Sequence, residues 1–260
     1  MAASELSSLT AGDIKGADAL LSEHGTTHIK TPRGDVGVVM ILDFGREVFG
    51  NVEIGIGGSG SGVIDIGYGE LLEDGRVKPN RGGLKYTDRL ILKKGKLHWQ
   101  GFESRAFRYM QIEFRRCTKV VALDYIMVNQ TTYPVKYTGS FECDDTLLNE
   151  IWRVGAYTTE LCMEDTFIDC PWRERAQWWG DARIESRAAY YAFDDTKLLA
   201  QGLRQIKVAF VHPCDTASLQ AALSVRDTGF MEPVLLGPEA RLRALVEQHK
   251  LKLGTPRIIN

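Results

Sequence analysis

The stretch from residue 165 to residue 187 concentrates side chains suited to sugar chemistry. Asp169, Glu174 and Asp181 place three carboxylates within thirteen residues. Arg173 and Arg175 flank the glutamate, and Trp172, Trp178 and Trp179 are its aromatic neighbours in sequence. Hydrolysis of a glycosidic bond requires one protonated carboxyl group to donate to the leaving oxygen. It also requires a second carboxylate to activate water or to attack the anomeric carbon. A glutamate placed against tryptophan and near other carboxylates has its pKa raised, as an acid catalyst needs, whereas flanking arginines lower it. The residue types leave that balance open. Tryptophan faces stack on the C–H faces of sugars, and carboxylates accept hydrogen bonds from hydroxyl groups. The same residues also suit a structural loop in which Asp and Arg pair and cap while Trp packs in a core. Composition alone supports both readings.

The elements around the loop are helical. Asp144 or Asp145 can cap TLLNEIWRVGAYTTELCM, where Leu147, Leu148, Ile151, Trp152 and Leu161 give helix-spaced apolar contacts. The segment FIDCPWRERAQWW interrupts, and helical texture resumes at DARIESRAAYYAF and TKLLAQGLRQI. Two helices flanking an irregular polar loop look more like a hairpin of an all-α toroid than a parallel α/β unit.

Ahead of the helices, from Val36 to Thr131, the runs VGVVMILDF, NVEIGI, GVIDIGYGE, KYTDRLILK, KLHWQGF, YMQIEF and VVALDYIMV read as short strands. Clusters such as GGSGSG, EDGR and KKGK punctuate them. This predicts an antiparallel β-sandwich. GIGGSGSG lies between strand-like runs with no helix after it, which predicts a flexible hairpin loop and not a dinucleotide fingerprint. Beyond Lys207 the texture becomes β-α-β-α-β: VAFV, SLQAALSVRD capped by Asp215 or Thr216, EPVLLGP, EARLRALVEQHKL and RII. That alternation predicts the start of a parallel α/β sheet.

The chain has 260 residues, 44% hydrophobic and 25% charged, enough to bury a core. Its formal net charge of −2, with dispersed Lys and Arg, gives no pull towards nucleic acid or acidic membrane. The N-terminal MAASELSSLTAGDIKGADALL lacks the pattern of a signal peptide, and no apolar run approaches the roughly 18–20 residues of a membrane span. Five cysteines, at 117, 143, 162, 170 and 214, show no zinc-like spacing. They read as free thiols, mostly small buried apolar residues, in a reducing cytoplasm. No metal site and no cofactor is expected.

The string DCPWRERAQWWGDA resembles the signature of bacterial α-L-rhamnosidases, inverting glycosidases with an (α/α)6 catalytic barrel. The resemblance implies that Glu174 is the general acid and that Asp169, Arg173 and Asp181 hold sugar hydroxyls. Trp178 and Trp179 would line the rhamnose pocket, and the substrates would be rhamnose-containing glycosides. Gln177-Trp178-Trp179 departs from the Gly-Trp-Thr of many members, which touches the aromatic contacts. LDFGREVFGNVEI, IDIGYGELLEDGRV, YTDRLILKKG, FESRAFRYMQIEF and TTYPVKYTGSFECDDTLLNEIW extend the resemblance over roughly residues 20–206. Asp43, Arg46, Glu70 and Arg108 read as structural partners of turns and strands.

The family's general base lies on a later part of the barrel, and no counterpart is expected here. Glu239 and Glu247 read as solvated helix charges. The resemblance therefore implies half a mechanism, weakly active or inactive. The tail is similar to the opening of phosphate acetyl- or butyryltransferases, on VHPCD and EPVLLGP. His212 and Cys214 could form a catalytic pair, but a strand-end His-Pro turn accounts for them more simply. A fusion of two fragments near Ile206–Lys207 is expected.

The whole then reads as mixed: an antiparallel β-sandwich, a truncated (α/α)6-toroid segment and a short βαβαβ tail. The divisions are a lead-in over 1–35, the sandwich over 36–135, the toroid start over 136–206 and the tail over 207–260. Two other functions compete with the hydrolase: a non-catalytic carbohydrate-binding or structural sandwich, and a phosphate acyltransferase fragment. Leu198, Leu199 and Leu203 are expected on exposed helix faces open to self-association.

Overall fold

The computed structural model describes residues 5–8, 13–22, 25–34, 36–81, 83–205, 207–211, 213–227, 232–254 and 257–259. They form two compact units. One comprises Met1–Pro134 with Glu160–Glu164 and Asp169–Ala176; the other comprises Val135–Thr159, Asp165–Ile168 and Gln177–Asn260.

The first unit is an antiparallel sandwich built on one long strand, β1 (Val38–Ser59). It is joined by β2 (Gly62–Gly69), β3 (Thr87–Leu92), β4 (Gly95–Gln100), β5 (Arg105–Arg115) and β6 (Val121–Gln130). The first part of β1 pairs with β5, which pairs with β2 and through it with β3. The later part pairs with β4 and β6. One strand thus belongs to both layers, and Gly50 lies where the pairing changes. A Cβ there would come within 2.0 Å of the Asn129 carbonyl oxygen. Period-2 alternation fills the core: Ile64, Ile66 and Tyr68 from β2 and Met110, Ile112 and Phe114 from β5 are buried together with Ile54 and Val128.

Two local expectations are corrected. VGVVMILDF and NVEIGI are one strand, because the intervening residues form a wide bulge opposite Arg108. Asp43 holds that bulge. It takes two hydrogen bonds from the Arg108 guanidinium at 2.8 and 2.9 Å, and a third from the Gly45 amide at 2.7 Å. The guanidinium keeps the Asp43 carboxyl below its ordinary range. Asp43 and Arg108 are therefore strand partners. Most of the glycine-rich run is strand, since Gly55–Ser59 belong to β1 and Gly62 opens β2; only Gly60 and Ser61 form the connecting turn. Gly55 is required for close packing: a Cβ would sit 2.2 Å from the Tyr125 ring.

The second unit holds α1 (Thr146–Leu161, whose last residues cluster with the sandwich), α2 (Trp179–Phe193) and α3 (Lys197–Gln205). Asp145 caps α1 by accepting the Leu147 amide at 2.8 Å, and Asp195 caps α3 by accepting the Leu198 amide at 3.0 Å. Asp194, with φ of 53°, terminates α2. The expectation for the helix faces is also corrected. Leu198 is fully buried and Leu199 and Leu203 are half-buried. The exposed stripe lies on α1 instead, at Leu147, Ile151 and Val154, one turn apart along one face.

The tail forms β7 (Lys207–Val211), α4 (Thr216–Asp227), β8 (Glu232–Leu236), α5 (Glu239–Gln248) and β9 (Arg257–Ile259). Its strands pair in parallel, in that order. Leu219, Leu223, Leu235 and Leu242 give it a small core. Asp215 caps α4 through the Ser218 amide at 2.8 Å. Glu239 pairs with Arg243 along α5, and Glu247 is exposed. His212 lies outside the described residues; Cys214 is half-buried. No helix is long and apolar enough to cross a membrane, among the described residues.

Candidate active-site loop

The loop Asp169–Ala176 clusters with the sandwich. It is closed by its own ends: the Asp169 amide donates to the Ala176 carbonyl at 3.0 Å, and the Ala176 amide donates to Asp169 Oδ1 at 2.8 Å. One oxygen of Asp169 is thereby engaged in the loop, and Oδ2 accepts from the Cys170 thiol at 3.5 Å. A hydroxyl-binding role for Asp169 has to share the carboxylate with these structural contacts.

Trp172 is buried and stacks on Tyr86, with ring centroids 4.7 Å apart and planes 27° from parallel. It is a core residue and presents no open face to a sugar. The Tyr86 hydroxyl points at the main-chain carbonyls of Trp172 and, at 3.2 Å, of Arg173. Burial pushes the Tyr86 phenol above its ordinary pKa, so it remains a donor.

Behind Tyr86 stands a charged support. The Arg105 guanidinium lies 6.0 Å from the Tyr86 ring centre and 5.7 Å from that of Tyr68. Arg105 donates to Asp88 at 3.1 Å, and Asp88 also accepts the Tyr68 hydroxyl at 2.9 Å.

Arg175 adopts φ of 51°, in the left-handed region that non-glycine residues rarely occupy. Its side chain is tied down by the Ser104 carbonyl at 3.2 Å, by Glu164 at 2.8 Å and by the Phe49 ring, 4.8 Å from the guanidinium. Between the buried Trp172 and the anchored Arg175, Arg173 and Glu174 are the two side chains turned to solvent. They form an ion pair with each other. Glu174 thus stands beside a guanidinium and not in an apolar pocket; its side chain is 40% exposed.

Trp178, Trp179 and Asp181 belong to the helical unit. Trp178 is the extended residue before α2, and it is 54% exposed. Trp179 opens the helix, and its ring lies 3.1 Å from where a Cβ on Gly202 would stand, so the glycine in α3 makes room for it. Asp181 is exposed in the first turn of α2, where a negative charge is favoured by the helix dipole. The structure therefore groups Asp169, Arg173 and Glu174 on the loop, and Trp178, Trp179 and Asp181 at the helix start.

Tyr86, Arg105, Phe49, Ser104 and Glu164 were not legible as site residues in the sequence. Tyr86 bonds a carbonyl 86 positions away, and no local pattern marks such a pair. Among the described residues, no cluster of three or more His, Cys, Asp or Glu is placed to hold a metal ion.

The profile of the bacterial alpha-L-rhamnosidase concanavalin-like domain matches residues 35–129. That of the bacterial alpha-L-rhamnosidase 6 hairpin glycosidase domain matches residues 136–212. A β-sandwich leading into the opening of a six-hairpin glycosidase is the class that fold and loop define. Over residues 35–212 the chain belongs to the bacterial α-L-rhamnosidase family.

It is 31% identical over 163 residues to an α-L-rhamnosidase of Formosa agariphila, covering 59% of this chain and 17% of that protein. The crystal structure of the GH78 family rhamnosidase of Bacillus sp. GL1 superposes with a TM-score of 0.65 at 34% identity, over 68% of this chain and 18% of that one. A stretch of 49 residues is 39% identical to a phosphate acetyltransferase of Rhizobium meliloti, covering 19% of this chain and 16% of that protein. The chain spans less than a fifth of the length of each of these relatives.

Proposed function

We propose that the chain carries the acid-bearing part of an α-L-rhamnosidase site, with Glu174 protonating the departing glycosidic oxygen of a terminal rhamnoside. The observation that carries this reading is the loop Asp169–Ala176. Its ends, Trp172 and Arg175 are all fixed, and Arg173 and Glu174 are left facing solvent. Arg173 beside the acid suits a sugar hydroxyl as a hydrogen-bond donor, and the family resemblance gives Trp178, Trp179 and Asp181 sugar-facing roles. An inverting reaction also needs a second carboxylate about 6.5–9.5 Å from the acid, with water between. The family resemblance places that base on a later part of the barrel.

Turnover of an aryl α-L-rhamnoside, abolished in Glu174→Gln, is the expected outcome for a competent site. Binding of rhamnose in calorimetry without turnover would reduce the function to sugar binding. Neither binding nor turnover by the folded chain would sink the assignment.

We also propose that the chain is chimeric, with the join near Ile206–Lys207. The support is the change to β-α-β-α-β texture beyond Lys207, together with a 49-residue similarity to a phosphate acetyltransferase; the six-hairpin match itself runs on to residue 212. A sequencing read across codons 200–215 of an independent isolate tests this; one intact gene family on both sides would remove it. The five free cysteines favour a cytoplasmic location, open to cell fractionation. Self-association through the exposed stripe of α1 would appear as a concentration-dependent elution volume.

A further inference from the structure

We infer that Tyr86 is a positioning residue for Glu174: through this side chain and its backing, the β-sandwich fixes one side of the turn that carries the acid. The inference rests on the reading of Glu174 as the acid. The two carbonyls that Tyr86 addresses belong to Trp172 and Arg173. The second lies in the peptide plane that carries the Glu174 amide, so the hydroxyl fixes the orientation from which the Glu174 side chain departs. The Tyr86 ring fixes the same turn a second time by stacking on Trp172.

Tyr86 is itself immobilised. Its amide donates to the Pro79 carbonyl at 2.7 Å, its carbonyl accepts the Tyr68 amide at 3.1 Å, and Arg105 backs its ring. On the other side of Glu174, the left-handed Arg175 is pinned by Ser104, Glu164 and Phe49. A strained backbone persists only where its surroundings over-determine it. Glu174 is thus suspended between two residues held by the sandwich. General acid catalysis depends steeply on placement, and shifts on the order of 1 Å are costly.

The test reads the loop directly. The amides of Asp169 and Ala176 close the loop, so their hydrogen exchange reports on it. The carboxyl carbon resonance of Glu174, assigned by its loss in Glu174→Gln, reports on the acid. Tyr86→Ala should accelerate exchange at both amides on the order of tenfold to a hundredfold and shift the Glu174 resonance. The amide of Ile126, in β6, should be unchanged. Tyr86→Phe keeps the stack, loses the hydroxyl, and should give a smaller effect of the same kind.

Where turnover of an aryl rhamnoside is measurable, Tyr86→Ala should lower kcat more than it changes KM. If Tyr86→Ala unfolds the sandwich, Tyr86→Phe decides alone. Faster exchange at Ala176 with Ile126 unchanged supports the inference, and unchanged exchange and resonance overturn it. Turnover in Glu174→Gln tests the assignment of the acid, whereas the exchange rates test its positioning, so each can fail separately.

Discussion

Residues 169–176 and residues 178–181 follow one another in the chain and belong to one short motif, but their conformations have different causes. The first segment contains a left-handed Arg175 and a buried Trp172, held by partners 71 and 86 positions away in sequence. The second follows ordinary helix rules: an extended residue before the helix, an acidic residue in its first turn, and the Ala182 amide closing on the Trp178 carbonyl at 2.9 Å. The side of the motif that bears Glu174 is thus exposed to any change in the sandwich. The side that bears Asp181 depends on its own turn.

The largest test of that contrast is Phe107→Ala. Phe107 is fully buried and packs on Phe44 at 5.3 Å and on Tyr68 at 5.0 Å. Its truncation should cost about 3–5 kcal/mol in chemical denaturation. The Ala176 amide should lose protection with the sandwich, while the Ala182 amide should keep it. Equal loss at both would erase the contrast.

Acidity and alkalinity provide the next test, through two sandwich carboxylates shifted in opposite directions. Burial, with the charge of Glu70 adding to it, raises Glu47 to about 8. The folded state therefore holds this proton where the unfolded chain has released it. Stability contributed below the ordinary glutamate pKa is lost as pH rises through about 8. Hydrogen bonds from His98, Asn129 and Tyr125, at 2.7, 2.8 and 2.8 Å, hold Glu53 at about 2. Its contribution is present above the ordinary glutamate pKa and is lost as pH falls through about 2.

The sandwich should accordingly be most stable near the ordinary glutamate pKa. Glu47→Gln should flatten the alkaline decline, on the order of 2–4 kcal/mol, and Glu53→Gln the acid one. Thermal melts across pH, read together with Ala176 exchange, check whether the loop follows the sandwich. A loop indifferent to both variants would separate the two.

The smallest expected effect lies where structure is local. Asp145→Ala removes the cap of α1 and should cost about 1 kcal/mol. Circular dichroism should show fraying of that helix with Ala176 exchange unchanged.

The sequence alone determined the alternation that makes the sandwich, the helix starts capped by Asp144 or Asp145 and by Asp215 or Thr216, the parallel tail and the motif around Glu174. Each depends on residues close together in the chain, where period, capping chemistry and spacing act directly. Only the tertiary structure decided that β1 is unbroken through GREVFG, because the Asp43–Arg108 pair that absorbs the bulge joins different strands. It alone turned Trp172 into the core and Arg173 with Glu174 outward, since Tyr86, Phe49 and Ser104 reach the loop across the fold. A local pattern names the side chains in a loop. It cannot say which of them face the solvent, because that is settled by what packs against the others.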